Sequence, residues 1–342
     1  MTAKNLFTQE TIQKTRTAMG TKFLQDVNLG NTNKQNELVF FIKPELLDVE
    51  QDQQILGSMQ LIKTKFEEFD IQVDGAAIIP GTVLDQFGIM NQHYGFINTL
   101  SRKASKMLDT ETRQALFSAL GIHDKNRHQI LGGHEFLKKY KTDVDTLSDL
   151  WFAQESKKLR SGFYFIASSY EDECIILVNG FHPAQLHHFT NPDHRIFLML
   201  MHTDTDWYDM KFDLVGDTFP ERAKPDSIRG RLYANPDRYG QREVTINTNG
   251  VHLSAGPFEA AFEAVNFFGP LIDLDPAETP PLALQEAITA GYPKEKVLAL
   301  LKNPEINDSD LFSETENLNT PEAVRLLMDK FAADRHHHIS TI

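Results

Sequence analysis

Two uninterrupted apolar runs limit the folds open to this chain. Leu38–Ile42 reads LVFFI, and Ile196–Met201 reads IFLMLM. Short continuous apolar runs of this kind are typical of buried β-strands. The first run ends at Lys43-Pro44, where proline cannot donate a hydrogen bond to a sheet. Both runs are therefore predicted to be buried strands.

The segments around these strands predict an α+β fold. A helix is predicted over Asp52–Glu68, because apolar residues recur there at spacings of three and four. Ile71–Ile79 is predicted as a second strand. Pro257–Phe268 is predicted as a helix that Gly256 caps and Pro257 opens. The order strand, helix, strand, found in both halves, predicts one mostly antiparallel sheet with helices on one face.

Several further elements are predicted from weaker patterns. Phe163–Ser168 and Cys174–Val178 predict a β-hairpin, and Gly216–Gly250 is predicted to be a loop. Asp275–Leu282 is predicted to be a linker. The remaining predicted helices are Gln9–Gln25, Thr110–Leu120, Leu147–Leu159, Asp206–Val215, Leu284–Ala290, Lys294–Leu301 and Pro321–Ala333.

Length and composition exclude some classes of protein. A chain of 342 residues fits two or three domains, or one domain with large insertions. With 41% apolar and 24% charged residues, it is expected to be globular rather than disordered. Its 34 basic and 48 acidic residues give a net charge of −14, which argues against a protein that coats nucleic acid or anionic membrane.

The chain carries a single cysteine, Cys174. An intramolecular disulfide and a zinc site with several thiolates are therefore excluded. No apolar run reaches the roughly 18 residues that a transmembrane helix needs. The polar N-terminus, 1–14, lacks the apolar stretch of a signal peptide. We therefore expect a cytoplasmic protein that does not bind membranes.

Residues suited to binding phosphate occur in separate segments. Lys43 follows a buried strand, and Arg229 offers a planar fork that suits phosphate oxygens. Thr218 and Asn249 add neutral hydrogen-bonding groups. His252 precedes a predicted helix and is the natural nucleophile for taking up a phosphoryl group. No Walker loop or glycine-rich kinase loop is present.

These motifs resemble the nucleoside diphosphate kinase family. The matches occur in order as FIKPE, His93-Tyr94, GDTFPERAKPDSIRG, and NGVHLS followed by Glu263. The resemblance covers about Leu38–Tyr94 and Arg195–Phe268. It implies a ferredoxin-like βαββαβ core and a ping-pong kinase that moves the γ-phosphate of ATP to a nucleoside diphosphate. It also implies Mg²⁺ with the nucleotide and a possible homo-oligomer.

The resemblance divides the chain into four parts. Residues 1–37 would be an N-terminal extension, and 38–94 with 193–270 would form the kinase-like core. Residues 95–192 would be an inserted segment, and 271–342 a helical C-terminal extension.

The resemblance also assigns roles to the matched residues. His252 would be phosphorylated, and Glu263 would orient its imidazole. Lys43 would neutralise the transferring phosphoryl group, with Tyr94 beside it. The other assigned residues are Thr218 and Arg229 on the β- and γ-phosphates, Asn249 near the sugar hydroxyls, and Ser254 next to the histidine.

The chain departs from the family pattern in several places. The arginine that usually precedes the matched threonine is replaced by Phe212, and Lys211 is one residue away from that position. The aspartate that follows the matched serine is replaced by Ala255. The aromatic residue that stacks on the base has no clear counterpart, although Phe96 could serve.

Other interpretations stay open from the sequence alone. The same core could transfer phosphate to a different small molecule, or it could be a non-catalytic nucleotide-binding scaffold. A metal site at His182, His187 and His188 is disfavoured, because neither cysteine nor a regular HxxxH pair accompanies them.

Overall fold

The structure is a computed structural model that describes residues 6–124, 127–306 and 309–339. The chain forms two compact units. One comprises Met1–Phe87 with Pro192–Ile342, and the other comprises Gly88–Asn191. Both combine a sheet with helices, so the α+β class is shown. Within the described residues, no helix is both long enough and apolar enough to span a membrane.

The strands and helices are numbered in chain order. The strands are β1 (Lys22–Gln25), β2 (Asn36–Ile42), β3 (Gln72–Pro80), β4 (His128–Gly132), β5 (Lys157–Arg160), β6 (Phe163–Tyr170), β7 (Glu173–Val178), β8 (Arg195–Thr203), β9 (Val251–Leu253), β10 (Glu305–Ile306) and β11 (Ser309–Asp310). The α-helices are α1 (Gln9–Thr17), α2 (Pro44–Leu47), α3 (Asp52–Glu68), α4 (Gly81–Gln86), α5 (Ile89–His93), α6 (Gly95–Met107), α7 (Thr110–Leu120), α8 (Gly133–Tyr140), α9 (Val144–Phe152), α10 (His182–Thr190), α11 (Trp207–Asp209), α12 (Ile228–Ala234), α13 (Pro257–Ile272), α14 (Leu282–Thr289), α15 (Leu311–Glu314) and α16 (Thr320–Ile339). A π-helical turn covers Met210–Val215, and 3₁₀ turns cover Pro220–Arg222, Pro236–Tyr239 and Lys294–Lys302.

The first unit is built on a sheet in the order β1-β3-β8-β2-β9, in which every neighbouring pair is antiparallel. The predicted strands LVFFI and IFLMLM lie side by side in its middle as β2 and β8, and all seven residues of β2 are buried. Helix α3 covers the sheet with the face that its spacing predicted, burying Ile55, Met59, Ile62 and Phe66. The apolar pattern of the sequence therefore predicted the centre of this unit's hydrophobic core correctly.

The second unit contains a mixed sheet in the order β4-β7-β6-β5, with β4 and β7 parallel. The predicted hairpin is confirmed, because β6 and β7 pair antiparallel from Phe165↔Val178 to Tyr170↔Glu173. Its turn residues Glu171 and Asp172 have positive φ angles of 47° and 64°. Separate clusters of buried apolar side chains form the core of this unit.

Three sequence predictions were wrong in extent. Helix α1 ends at Thr17, because residues 22–25 find backbone partners on β3 and form strand β1. Helix α9 ends at Phe152, and Lys157–Arg160 pairs with β6 as strand β5. The loop predicted over Gly216–Gly250 contains helix α12. Ser227 caps that helix by accepting the N–H of Gly230 at 3.1 Å.

The helices predicted after β9 are present, but the one at Lys294 is a 3₁₀ helix and the last one extends beyond Ala333 to Ile339. Helix α13 begins at Pro257 after Gly256, as predicted, and continues to Ile272. Beyond it, α14, the 3₁₀ turn Lys294–Lys302, α15 and α16 share an apolar cluster with Phe258 and Ala261 of α13. The C-terminal helices thus support the back of α13.

Candidate active site

His252 lies on the short edge strand β9, directly opposite Phe41 of β2. The two rings stack with centroids 4.5 Å apart and planes inclined by 16°. The His252 side chain is about one-fifth exposed, at 20%. The sheet register therefore places a partly accessible imidazole on a buried aromatic ring.

Glu263 holds one edge of this imidazole. Its Oε1 lies 2.8 Å from His252 Nε2, and its side chain is fully buried. The hydroxyl of Ser254 donates to Glu263 Oε2 at 2.6 Å, and Ser254 Oγ in turn accepts the N–H of Val39 at 3.0 Å. Because the carboxylate accepts from Nε2–H, the neutral imidazole carries its lone pair on Nδ1.

Lys43 and Asn249 form the next part of the site. Lys43 Nζ donates to Asn249 Oδ1 at 2.6 Å, and Asn249 Nδ2 donates to the carbonyl of Thr218 at 3.2 Å. The backbone N–H of Lys43 also donates to Gly250 O at 2.9 Å. The end of β2, the segment before β9 and the loop at Thr218 are thereby joined through one asparagine.

Arg229 is buried beside them, with 9% of its surface exposed. Its Nη1 and Nη2 donate to the carbonyls of Gly216 and Val251, both at 2.9 Å. Its Nε has no hydrogen-bond partner among the described residues. The guanidinium therefore braces the loop at Gly216 against β9, a structural contact that the sequence did not predict.

Burial changes the charge behaviour of both cations. Burial lowers the pKa of Lys43 to about 8, against the opposing pull of Glu45 and with a contribution from nearby Arg229. Burial likewise lowers the pKa of Arg229 to about 10, although Asp217 and Glu45 favour its charged form. Two desolvated cations close together favour an anion between or beside them.

The predicted site residues are distributed over both units. Contacts within the first unit connect six of them: His252, Glu263, Ser254, Lys43, Asn249 and Arg229. Thr218 joins through its carbonyl, and its side chain is exposed.

Tyr94 belongs to the second unit, as does the His182 cluster. The ring of Tyr94 lies 5.6 Å from His182 and 6.2 Å from Phe189, centroid to centroid. His182 is buried, with Nδ1 3.1 Å from Gln185 Oε1 and Nε2 3.3 Å from Asn98 Oδ1. His187 and His188 lie in the last turn of α10.

The position of the missing arginine is occupied by an aromatic contact. The ring of Phe212 packs against Tyr208 at 4.6 Å, in the π-helical turn that follows α11. Lys211, the neighbouring cation, forms an ion pair with Glu316. Lys211 is therefore engaged with the C-terminal segment.

Sequence reasoning missed some neighbours of the site. Phe41 and Glu45 both lie within or beside the FIKPE motif, which was the available signal. Glu45 accepts the N–H of Gly250 at 2.9 Å and so anchors the segment before β9. Glu259 lies one turn before Glu263 on α13. Burial and the nearby Glu263 raise its pKa to about 8.

Comparison with known proteins does not assign the chain to a family. A scan against protein-family models gives no match, and a search of curated proteins finds no significant relative.

Proposed function

We propose that the protein is a phosphotransferase of the nucleoside diphosphate kinase type, with His252 as the residue that carries the phosphoryl group. The observation that carries this proposal is that His252, held at Nε2 by Glu263, follows Val251, whose carbonyl accepts from Arg229, while Lys43 donates to Asn249 just before β9. A histidine with one nitrogen held by a carboxylate presents the other as a nucleophile. Lys43 and Arg229 supply the positive charge that phosphoryl transfer requires.

Each residue then has a role in a two-step reaction. The lone pair of His252 Nδ1 attacks the γ-phosphorus of ATP, and the bond from that phosphorus to the bridging oxygen of ADP breaks. Glu263 stabilises the positive charge that the ring acquires, through its 2.8 Å contact with Nε2. In the second step an oxygen of a nucleoside diphosphate attacks the phosphohistidine, and His252 is regenerated.

Mg²⁺ would enter with the nucleotide and neutralise part of its phosphate charge. Such ions are usually held by one or two carboxylates together with phosphate oxygens. Asp217 is suited to this role, because it adjoins Thr218 and its charge acts on Arg229. Its Oδ1 accepts the N–H of Phe219 at 2.8 Å, which holds the carboxylate at this loop.

The topology supports the same proposal. The order β3-β8-β2-β9, with α3 crossing from β2 to β3, is compatible with a ferredoxin-like βαββαβ core. Strand β1 adds a fifth strand from the N-terminal segment. This compatibility concerns the first unit alone.

A second candidate function is a phosphotransferase with another acceptor. A cavity of about 620 Å³ lies where the loop after α12 meets the segment after Thr218. Phe219, Tyr233, Arg242 and Ile246 contribute to its walls. Part of this lining comes from residues inserted relative to the resembling family, so the acceptor pocket could differ.

A transfer assay separates these functions. The full chain is mixed with ATP, Mg²⁺ and each nucleoside diphosphate, and initial rates are measured over both substrate concentrations. We expect parallel double-reciprocal lines, as a ping-pong reaction gives. His252→Asn should abolish transfer and leave ATP affinity within a few-fold, whereas His123→Asn, an exposed histidine of the second unit, should behave like wild type.

Other outcomes would change the assignment. Comparable turnover in His252→Asn would remove His252 from the mechanism. A labelled phosphoenzyme that nucleoside diphosphates cannot discharge would favour the second candidate. ATP binding without any labelling would contradict both and favour a nucleotide-binding scaffold.

A further inference from the structure

A second buried group of ionisable side chains lies in the first unit, among residues that the proposed reaction does not use. His202 is fully buried, and its Nδ1 lies 2.7 Å from Asp74 Oδ2. Its Nε2 lies 2.9 Å from Glu37 Oε2. The side chains of Glu37 and Asp74 are only 4% and 11% exposed. One imidazole thus bridges two nearly buried carboxylates.

The sheet itself creates this arrangement. Glu37 on β2 and His202 on β8 are direct partners in the antiparallel register. On the other side of β8, strand β3 has a bulge between Val73 and Gly75, where Asp74 is the additional residue. A bulge redirects a side chain that regular pairing would place elsewhere. Here it allows Asp74 to reach the ring.

Glu37 also binds chain segments outside the central strands. Its Oε1 accepts the N–H of Leu282, the first residue of α14, at 2.8 Å. Its Oε2 accepts the N–H of Gly30 at 2.6 Å. A single carboxylate therefore connects β2 to the N-terminal segment and to the C-terminal helices.

Asn36, the residue before Glu37, makes a similar connection through an uncharged side chain. Asn36 Oδ1 accepts the N–H of Thr320, the first residue of α16, at 2.9 Å. Asn36 Nδ2 donates to Asn319 Oδ1 at 2.9 Å. Consecutive residues of β2 thus hold the starts of two C-terminal helices, one through a carboxylate and one through an amide.

We propose that Glu37, His202 and Asp74 form a pH-dependent latch that holds helix α14, and with it the C-terminal helices, against the sheet. The latch is closed when His202 is an imidazolium, because one cation then donates to both carboxylates. It opens when the ring loses its proton. Two buried carboxylates then share a ring with a single N–H, and their mutual repulsion is no longer compensated.

The direction of the pH dependence follows from the partners of His202. Burial acts to lower its pKa, but the hydrogen bonds and charges of Glu37 and Asp74 outweigh burial and raise the pKa above its ordinary value. These two carboxylates, from β2 and β3, are the charged groups that act on the ring. The stabilisation is complete below the unfolded pKa of about 6.5 and is lost as pH rises through the folded pKa.

Other charges occur at the neighbouring strand ends. Lys34 pairs with Asp70 at 3.2 Å and with Asp204 at 2.8 Å. These side chains are joined to one another, and their exposed carboxylates are screened by solvent. The latch thus predicts release on the alkaline side, which ordinary acid unfolding does not produce.

Release of α14 would affect α13, the helix that follows β9 and His252. Helix α14 packs against Phe258 and Ala261 of α13, which also carries Glu263. Loss of the Leu282 contact therefore loosens the support of α13 from behind. The latch itself does not depend on the proposed phosphotransfer.

Hydrogen exchange of the full chain tests this proposal. Protection of α14 is measured from about pH 6 to about pH 10 and corrected for the intrinsic exchange rate at each pH. We expect protection to fall about tenfold or more as His202 deprotonates. In Glu37→Gln, which removes one of the two carboxylates that repel each other when His202 is neutral, the fall should be strongly reduced or absent, and any remaining midpoint should lie at lower pH.

Asn36→Ala is the matched control, because it removes a neutral contact of the same strand. It should reduce protection at the start of α16 by a similar factor at every pH and leave the midpoint for α14 unchanged. Constant protection of wild-type α14 across the range would overturn the proposal. So would an unchanged midpoint in Glu37→Gln.

A second measurement covers the case in which Glu37→Gln does not fold. The ring of His202 is titrated by NMR in the wild-type full chain. Its signals are assigned from their absence in His202→Gln or their shift in Asp74→Asn, whichever variant folds, or from contacts between the ring and its neighbours. We expect a midpoint above 6.5 that coincides with the exchange transition of α14. A ring that titrates at or below the ordinary value would contradict the latch.

Discussion

The ring of His252 lies almost parallel to the ring of Phe41, with centroids 4.5 Å apart and an angle of 16°. Together with Glu263 on the ring edge, this contact restricts the imidazole in two directions. An imidazole held in this way needs little reorganisation before it attacks a phosphorus atom. A substitution that nearly preserves the side-chain volume of Phe41 but removes its ring therefore tests whether stacking orients the imidazole of His252.

Phe41→Leu should lower kcat for transfer by roughly tenfold and leave the KM for ATP within about two-fold. Phe40→Leu is the control, because Phe40 lies in the same strand but packs on Phe66, at 5.1 Å between centroids. Both changes should cost about 1–1.5 kcal/mol of unfolding free energy. Equal loss of kcat in the two variants would show that the effect comes from destabilisation and not from the ring contact.

Glu263→Gln should reduce kcat by about 100-fold, because an amide cannot stabilise the charge that forms on the phosphorylated ring. The control is Glu259→Gln, one turn away on α13. Its raised pKa of about 8 makes the wild-type carboxyl largely neutral at pH 7, so an amide should be tolerated there. Steady-state kinetics at pH 7 compare the two. A Glu263→Gln enzyme as fast as Glu259→Gln would mean that the carboxylate does not assist transfer.

ATP affinity should decrease as pH rises through about 8. The pKa of Lys43 is lowered to about 8 by burial, so the cation that attracts phosphate is lost above that value. The dissociation constant should then rise by up to about tenfold per pH unit. Calorimetric titrations from pH 7 upward measure this change. Lys43→Arg should bind with no inflection near 8, and an inflection that survives in this variant would assign it to another group.

The sequence predicted the centre of the first unit well, because the apolar runs LVFFI and IFLMLM are unfavourable in any position exposed to water. The sequence motifs also group His252, Lys43 and Asn249, which lie on or beside the adjoining strands β2 and β9, and Glu263 reaches His252 from α13. It failed where long-range pairing decides the structure. Lys22–Gln25 and Lys157–Arg160 are strands only because β3 and β6 offer them partners.

Two features, one at the candidate active site and one at the latch, could not be predicted from the spacing of residues in the sequence. The role of Arg229 as a brace depends on the carbonyls of Gly216 and Val251, which local sequence does not place. The bridge from Glu37 to His202 and Asp74 joins residues up to 165 positions apart in the chain. Only the register of β2 and β8 and the bulge in β3 bring these side chains together.

Phe212→Arg should tighten ATP binding if the phosphates lie as in the resembling family, because it restores a missing cation. Phe212 lies in the π-helical turn and packs against Tyr208 of α11, so the effect of removing the ring alone must be controlled. Phe212→Leu provides that control. We expect a several-fold lower dissociation constant for the arginine variant than for the leucine variant. Unchanged or weaker binding would indicate a rebuilt phosphate pocket.

The most direct test of the account is the position of the phosphate on the protein. Wild type and His252→Ala are incubated with γ-labelled ATP and Mg²⁺, and the acid-labile, alkali-stable label is mapped by peptide analysis and ³¹P NMR. Because Glu263 holds Nε2 at 2.8 Å, we expect the phosphate on Nδ1 of His252, absent from His252→Ala and removed by added nucleoside diphosphate. Label on another residue, on Nε2, or equally in both proteins would contradict the proposed mechanism.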